Sequence, residues 1–345
     1  MSELYSKEKK QIWRIRFKFL FLEVFFAFIL IFVILAVLRY FIFPLFVDSV
    51  LLGVFYYILR AIAIFMITLF ILWIQGKFIQ EGKEKIEFTP MESQLKLYKI
   101  TRKNFKYQIL YGFLLFFLII LPLEFLTFYF VPDIMAYQLA FLVNDPFNTY
   151  LSETNYLLFL LYLIIVQISI VISQETIYRG LVAKRGSDHF FEMSAVIISS
   201  LSFGLRALIF YFDPISSYYA PWSPVIWLIE SFIIGIVLSL VTIRRKWLLP
   251  AIIATLLNNI LFSHLIWNIS LLLYLYLPLL IGSAILFIWQ YPRIRESLSI
   301  GIGTLKTYLK KEDKKEKTTT DKIFRYQIDI IVAIIIFLLG FLILI

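Results

Sequence analysis

The sequence of 345 residues contains no cysteine and only two histidines, His189 and His264. The lack of cysteine excludes disulfide bonds, thiolate catalysis and a palmitoyl anchor. Two distant histidines without any cysteine cannot supply the three or four ligands of a usual zinc site. We therefore expect no bound metal and no cofactor, and we interpret both histidines as ordinary residues near the membrane interface.

Charged residues are also scarce. They make up 16% of the chain, whereas 61% of the residues are hydrophobic and the mean hydropathy is +0.87. A soluble protein of this composition would have far more apolar surface than it could bury. The sequence therefore predicts an all-α integral membrane protein, a polytopic bundle of about nine transmembrane helices, because nine apolar stretches are long enough to span a bilayer. These stretches are residues 19–43, 49–75, 108–131, 155–183, 193–212, 224–243, 247–267, 269–290 and 327–345.

Lysine and arginine are absent from every second loop between these stretches. Most of them lie in five segments that fall on one side of the predicted topology: residues 1–18, 76–107, 184–185, 244–246 and 292–326. Because basic loops stay in the cytoplasm, we place the N-terminus there and the C-terminus outside, in a multi-pass protein of the cell membrane. The net charge of +10 then faces anionic membrane lipids, and it requires no nucleic-acid partner.

The chain divides into three parts. Residues 1–107 are predicted to form two transmembrane helices and a basic cytoplasmic segment. Residues 108–290 form a compact helical core with short loops. Residues 291–345 form a charged cytoplasmic linker and a last transmembrane helix, and the Lys/Glu-rich run at 304–322 is expected to be solvated or flexible, with a regulatory or lipid-binding role as the alternative.

An ionic pair interrupts the fourth apolar stretch. Residues 173–180 read Ser-Gln-Glu-Thr-Ile-Tyr-Arg-Gly, which places Glu175 and Arg179 four residues apart on one face of a helix. Such charges are tolerated in hydrocarbon only when they are paired or face a wet interior. The pair is either a buried tether between helices or part of a polar cavity that binds a peptide, a prenyl group or a lipid.

Three short motifs, on the fourth, fifth and seventh predicted helices, resemble those of the CAAX-protease and bacteriocin-processing family of intramembrane proteases. The family pattern is Glu-Glu-x-x-x-Arg, then Phe-x-x-x-His, then His-x-x-x-Asn. The corresponding segments here are residues 174–179, 203–207 and 255–259. The resemblance covers roughly residues 157–290. It implies a helical endopeptidase fold that cleaves near the C-terminus of prenylated or membrane-tethered substrates.

Three of the four implied catalytic groups are substituted. In the family, the resemblance assigns the base to the first glutamate, a catalytic histidine to the second motif, and oxyanion stabilisation to the histidine and asparagine of the third. This chain has Gln174, Ala207 and Thr255 at the glutamate and the two histidine positions. An amide is not a useful base, a methyl group cannot move a proton, and a hydroxyl is a weak neutral donor. The retained motif positions are Glu175, Arg179, Phe203 and Asn259.

Further charged residues lie within the apolar stretches. Arg206 directly precedes the substituted Ala207, and an arginine at that depth requires a partner. We expect Glu230 or Glu175 to neutralise it, with contact to a carboxylate or phosphate ligand as the alternative. Arg60 and Glu124 lie outside the motif helices and are interpreted as a snorkelling or interhelical residue and an interface residue.

Three functional hypotheses follow. The leading one is a proteolytically inactive homologue that binds or scaffolds a membrane segment or a lipidated chain. The second is an active or residual endopeptidase with Glu175 as the base. The third is a lipid or solute transporter that uses an intramembrane charge cluster. In each case we expect the motif residues to meet at a cavity that opens toward the cytoplasm or laterally into lipid.

Overall fold

The protein is all-helical in a computed structural model. The model describes residues 13–14, 16–42, 50–79, 98–131, 133–144, 148–189, 191–208, 222–268, 272–315 and 319–344. Its main helices, numbered in chain order, are α1 (20–42), α2 (Val50–Ile79), α3 (Phe105–Phe130), α4 (Asp133–Asn144), α5 (Tyr156–Arg185), α6 (Glu192–Leu205), α7 (Ser223–Arg245), α8 (Leu249–Trp267), α9 (Leu272–Lys315) and α10 (Thr319–Leu344).

Six segments of the described helices are long and apolar enough to cross a membrane. They are Arg16–Val37, Leu51–Ile71, Phe105–Phe130, Tyr156–Arg185, Ser223–Arg245 and Tyr274–Lys310. The other three predicted spans coincide with α6, α8 and α10, of which α8 contains a shorter apolar stretch, Leu249–Leu265. The fold class is therefore confirmed as a multi-pass helical membrane protein, while the count of nine spans and the cytoplasmic N-terminus stay predictions.

The helix boundaries follow from ordinary capping chemistry. The Asn155 side chain accepts hydrogen bonds from the first backbone amides of α5, as an N-cap should. Proline lies in the first turn of α7 and of α8, where its missing N–H costs nothing. Lys246 ends α7 with a left-handed φ of 58°, the conformation that commonly terminates a helix. These caps fix where α8 begins, and the third motif (residues 255–259) lies in the middle of that helix.

The two largest apolar clusters among the described residues join most of the helices. The first joins α1, α2 and α10 to the motif helices α5 and α6. The second joins α3, α7, α8 and the beginning of α9. The helices that flank the family-like block in sequence thus pack directly onto it and share its core.

Small residues allow the closest helix contacts. A Cβ atom on Gly235 of α7 would lie 3.0 Å from both Cα and Cβ of Ser200 on α6. Such contacts between small residues are what brings membrane helices together, since lipid provides no hydrophobic force between them. The α6–α7 contact fixes the second motif relative to the centre of the bundle.

Helix α9 differs from the prediction. Residues 292–315, expected to belong to a charged linker, continue a single helix of 44 residues as far as Lys315, because lysine and glutamate are good helix formers. Near its start, Tyr276 donates to Glu124 of α3, and the Ser283 hydroxyl donates to the carbonyl of Phe117. Near its far end, Tyr308 packs on a cluster at the ends of α5, α6 and α7.

Candidate functional site

The first motif lies at a change of helix type. The α-helical part of α5 ends at Glu175, and residues Thr176–Arg185 form a π-helical continuation. π-Helical turns are rare and often occur at functional sites. Gly180 lies within this turn against the Tyr98 hydroxyl, with which a Cβ atom would overlap. Burial raises the pKa of that hydroxyl, so it stays a neutral group against the turn.

The predicted ion pair forms inside the bundle. Arg179 Nε lies 3.4 Å from Glu175 Oε2, and both side chains are 0% exposed. Thr255 Oγ1 donates a 3.1 Å hydrogen bond to Glu175 Oε1. The guanidinium of Arg179 also lies 4.0 Å from the ring centroid of Phe203, a favourable cation–π distance. These contacts tie the first motif to the other two.

A cavity of about 340 Å³ lies beside this pair. The substituted motif positions Gln174, Ala207 and Thr255 all line it, together with the retained Phe203 and Asn259. The motifs therefore converge as the sequence predicted. Glu175 and Arg179 lie behind the lining, fully buried. The other lining residues are Tyr57, Arg60, Ile120, Glu124, Gln138, Asn148, Tyr150, Gln167, Ile170, Arg206, Trp227, Glu230, Ser231, Ile234, Asn258, Phe262 and Ser263.

Arg206 faces the cavity without the carboxylate partner that we expected. Its guanidinium lies 4.0 Å from the Phe203 ring centroid and 5.4 Å from that of Tyr178. Its Nε donates to the carbonyl oxygen of Phe203 at 3.2 Å. Within the described part of the chain, Arg206 forms no ion pair with Glu230 or Glu175. The reason is geometric, because Arg206 caps the C-terminus of α6 and folds back over its own last turn.

A polar network crosses the cavity wall at Gln167, a residue that motif reasoning missed. Its amide nitrogen donates to Tyr150 Oη and to Ser263 Oγ, each at 3.1 Å. Its amide oxygen accepts from Asn259 Nδ2 at 3.1 Å. Asn259 is therefore held by a helix neighbour in the position where the family has an oxyanion donor. A glutamine inside an apolar span is the signal that could have identified this residue.

A second missed group surrounds Glu124 on α3. One carboxylate oxygen accepts from Asn258 Nδ2 and the other from Tyr276 Oη. We interpreted Glu124 as an interface residue and Arg60 as a snorkelling or interhelical one, yet both line the cavity. Glu230 of α7 is another charged residue in the lining and is only 5% exposed. The site thus combines motif residues with charges from helices that carry no motif.

The cavity reaches toward the side that is poor in lysine and arginine. Asn148 and Tyr150, in the segment before α5, are part of its lining, as is Gln138 of α4. Among the described lining residues, none comes from the five basic segments. We had expected an opening toward the cytoplasm or laterally into lipid; the lining itself extends to Asn148 and Tyr150, which precede α5.

The two histidines lie apart from this chemistry. His264 lies among the rings of Tyr156, Phe159 and Trp267, at centroid distances of 5.6 to 6.2 Å. The side chain of His189 is outside the described residues. Among the residues that the structure describes, no cluster of histidine, aspartate and glutamate could hold a metal ion.

Comparison with known protein families supports the resemblance seen in the motifs. The family model described as type II CAAX prenyl endopeptidase Rce1-like matches residues 156–261. The matched segment begins with α5, ends within α8, and contains all three motif positions, while it spans less than half of the chain. No curated protein and no solved structure gives a significant match. Residues 156–261 are thus similar to a CAAX endopeptidase segment, set within a multi-pass membrane protein.

Proposed function

We propose that this protein is a proteolytically inactive relative of the CAAX prenyl endopeptidases. It uses the former catalytic cavity to bind a membrane segment or a lipidated chain without cutting it. The observation that carries the proposal is the convergence of Gln174, Ala207 and Thr255 on one cavity. The three positions that should supply the base and both histidines meet there without any of those groups.

The chemistry of the lining supports inactivity. Loss of a general acid or base costs about 100- to 10,000-fold in rate, and loss of an oxyanion donor costs about 100- to 1,000-fold. Such losses do not add simply, because the groups act as a unit. The loss of any one of these groups is nevertheless expected to lower the cleavage rate by at least about 100-fold.

Glu175 is poorly placed to take over as the base. It is 0% exposed, it pairs with Arg179, and it accepts a hydrogen bond from Thr255. A general base must reach the water that it activates, directly or through one further water. With one carboxylate oxygen facing a guanidinium and the other a hydroxyl, Glu175 serves as a structural counter-ion. This geometry argues against the residual endopeptidase with Glu175 as its base.

The test is cleavage of prenylated and unprenylated C-terminal peptides by the full chain in lipid nanodiscs. We expect no cleavage by the wild type or by Glu175→Gln. We expect the triple variant Gln174→Glu/Ala207→His/Thr255→His to gain cleavage of the prenylated peptide. The matched control is the double variant Ala207→His/Thr255→His, which keeps the amide of Gln174 and should stay inactive for want of a base.

Cleavage by the wild type would contradict inactivity, and its loss in Glu175→Gln that size-exclusion chromatography shows to be folded would identify Glu175 as the base. Tight binding of the uncleaved prenylated peptide to the wild type would support the scaffold role. Binding can be followed by fluorescence anisotropy of a labelled peptide on the same nanodiscs. If the wild type neither cuts nor binds the peptide, a lipidated chain is not its ligand.

A further inference from the structure

Two arginines in the cavity lining have no carboxylate partner among the described residues. Arg206 is held over the rings of Phe203 and Tyr178 and donates only to a backbone carbonyl. Arg60 of α2 lines the same cavity, and its buried Nε has no hydrogen-bond partner. Cations within an apolar bundle need a counter-charge or water. This part of the cavity is therefore prepared for an anion.

Two carboxylates line the same cavity. Glu124 is oriented by Asn258 and Tyr276, which donate to its two oxygens. Glu230 is 5% exposed, and its buried Oε1 has no hydrogen-bond partner. A buried carboxylate oxygen without a donor is costly, so the empty acceptor points to a missing donor. An ammonium group, with three N–H donors and a positive charge, fits that requirement.

We propose that the cavity binds a phosphoethanolamine group, with its phosphate between Arg60 and Arg206 and its ammonium at Glu230 and Glu124. Guanidinium groups bind phosphate through paired, charge-assisted hydrogen bonds. The two arginines and two glutamates balance to zero when ionised, and so does phosphoethanolamine in a phosphodiester lipid. The ligand thus leaves no charge in the cavity uncompensated.

The size of the cavity agrees with a head group. About 340 Å³ is at the lower end of the roughly 300 to 1,000 Å³ that ligand pockets enclose. Such a volume accommodates a phosphoethanolamine group and excludes a complete lipid, whose acyl chains must remain in the bilayer. The lining also reaches the side that is poor in lysine and arginine, which indicates the leaflet from which the head group is drawn.

This inference rests on the proposed function, because a cavity without the catalytic groups can hold a ligand that is not cut. It adds a lipid head group to the ligands that this cavity is proposed to hold. The test measures binding of short-chain phosphatidylethanolamine to the full chain in detergent by native mass spectrometry. Phosphatidylcholine keeps the phosphate but has no N–H donor, and phosphatidylglycerol keeps the phosphate without the cation. We expect phosphatidylethanolamine to bind about tenfold or more tightly than either.

The variants separate the two halves of the site. Arg206→Gln should weaken the binding of all three lipids by about 10- to 100-fold, because each of them contains the phosphate. Glu230→Gln should remove the preference for phosphatidylethanolamine and leave binding of phosphatidylglycerol within about threefold of wild type. The matched controls are Arg295→Gln and Glu296→Gln, whose side chains are exposed on α9 and which should bind like the wild type.

Equal affinity of the wild type for the three lipids would overturn the inference, as would an unchanged lipid preference in Glu230→Gln. If size-exclusion chromatography shows that Arg206→Gln is misfolded, the lipid preference of folded Glu230→Gln still tests the inference. Displacement of the lipid by free phosphoethanolamine would show that the head group alone is recognised, and binding of the free compound without the lipid would identify a soluble source. Peptide cleavage in the earlier assay would refute inactivity and leave the lipid result to be judged on its own.

Discussion

The ion pair between Glu175 and Arg179 permits a quantitative prediction. Both side chains are fully buried, and Arg179 Nε lies 3.4 Å from Glu175 Oε2. Arg179→Met keeps the length of the side chain but removes its charge. The carboxylate of Glu175 is then left in the bundle with only the hydroxyl of Thr255 as a partner. Breaking one half of a buried pair typically costs about 3 to 5 kcal/mol.

Glu175→Gln should be destabilising by a similar amount, since it leaves the guanidinium of Arg179 with only the ring of Phe203. The double variant Glu175→Gln/Arg179→Met removes both charges together. Replacing a buried ion pair by uncharged groups often changes stability very little, so we expect the double variant to be more stable than either single variant. The free energy of unfolding should therefore show a coupling of about 3 kcal/mol between the two sites.

The measurement is reversible unfolding of the four proteins in mixed micelles with increasing SDS, followed by tryptophan fluorescence. Arg295→Met, an exposed arginine on α9, serves as the control and should change the free energy of unfolding by less than about 0.5 kcal/mol. Two results would refute the reasoning. One is a single variant within about 1 kcal/mol of wild type, and the other is a double variant as unstable as the sum of the singles.

Two further substitutions test the packing and the polar network. Gly235→Ala should destabilise the protein by about 1 to 3 kcal/mol, because its Cβ would lie 3.0 Å from Ser200. The control Gly301→Ala, where nothing lies within 4 Å of the added Cβ, should leave stability unchanged or raise it slightly. Equal effects at the two sites would contradict the close α6–α7 contact. Gln167→Leu should cost about 1 to 3 kcal/mol, because Asn259 loses its acceptor. Adding Asn259→Leu should then cost little more in the same unfolding assay, and full additivity would argue against a shared network.

The convergence of the motifs could be predicted from the sequence. Polar or substituted motif positions on three helices, α5, α6 and α8, imply a common depth, and Gln174, Ala207 and Thr255 do line one cavity. The ion pair could be predicted because residues four apart on a helix are neighbours regardless of tertiary structure. Local spacing and chemistry were sufficient for both.

The rest of the site depends on how the helices are rotated and packed, which the motifs do not encode. Arg60 and Glu124 were visible as intramembrane charges, but nothing in their own helices indicates that they face the cavity. The partner predicted for Arg206 was wrong for the same reason: Glu230 lines the same cavity without bridging to it. The charged run after residue 291 continues α9 as far as Lys315, which the sequence did not predict because the composition of the run suits a solvated linker and a surface helix equally well.

The length of α9 has a mechanical consequence. Its 44 residues extend about 66 Å, roughly twice the hydrocarbon thickness of a bilayer. Tyr276 is fixed near Glu124, yet Tyr308 packs at the ends of α5, α6 and α7, so the helix must run obliquely across that end of the bundle instead of projecting away. Its exposed residues Lys306 and Lys310, four residues apart on one face, are consequently held in a preorganised array. A rigid array loses less conformational entropy on meeting an anionic surface than a flexible tail of equal charge.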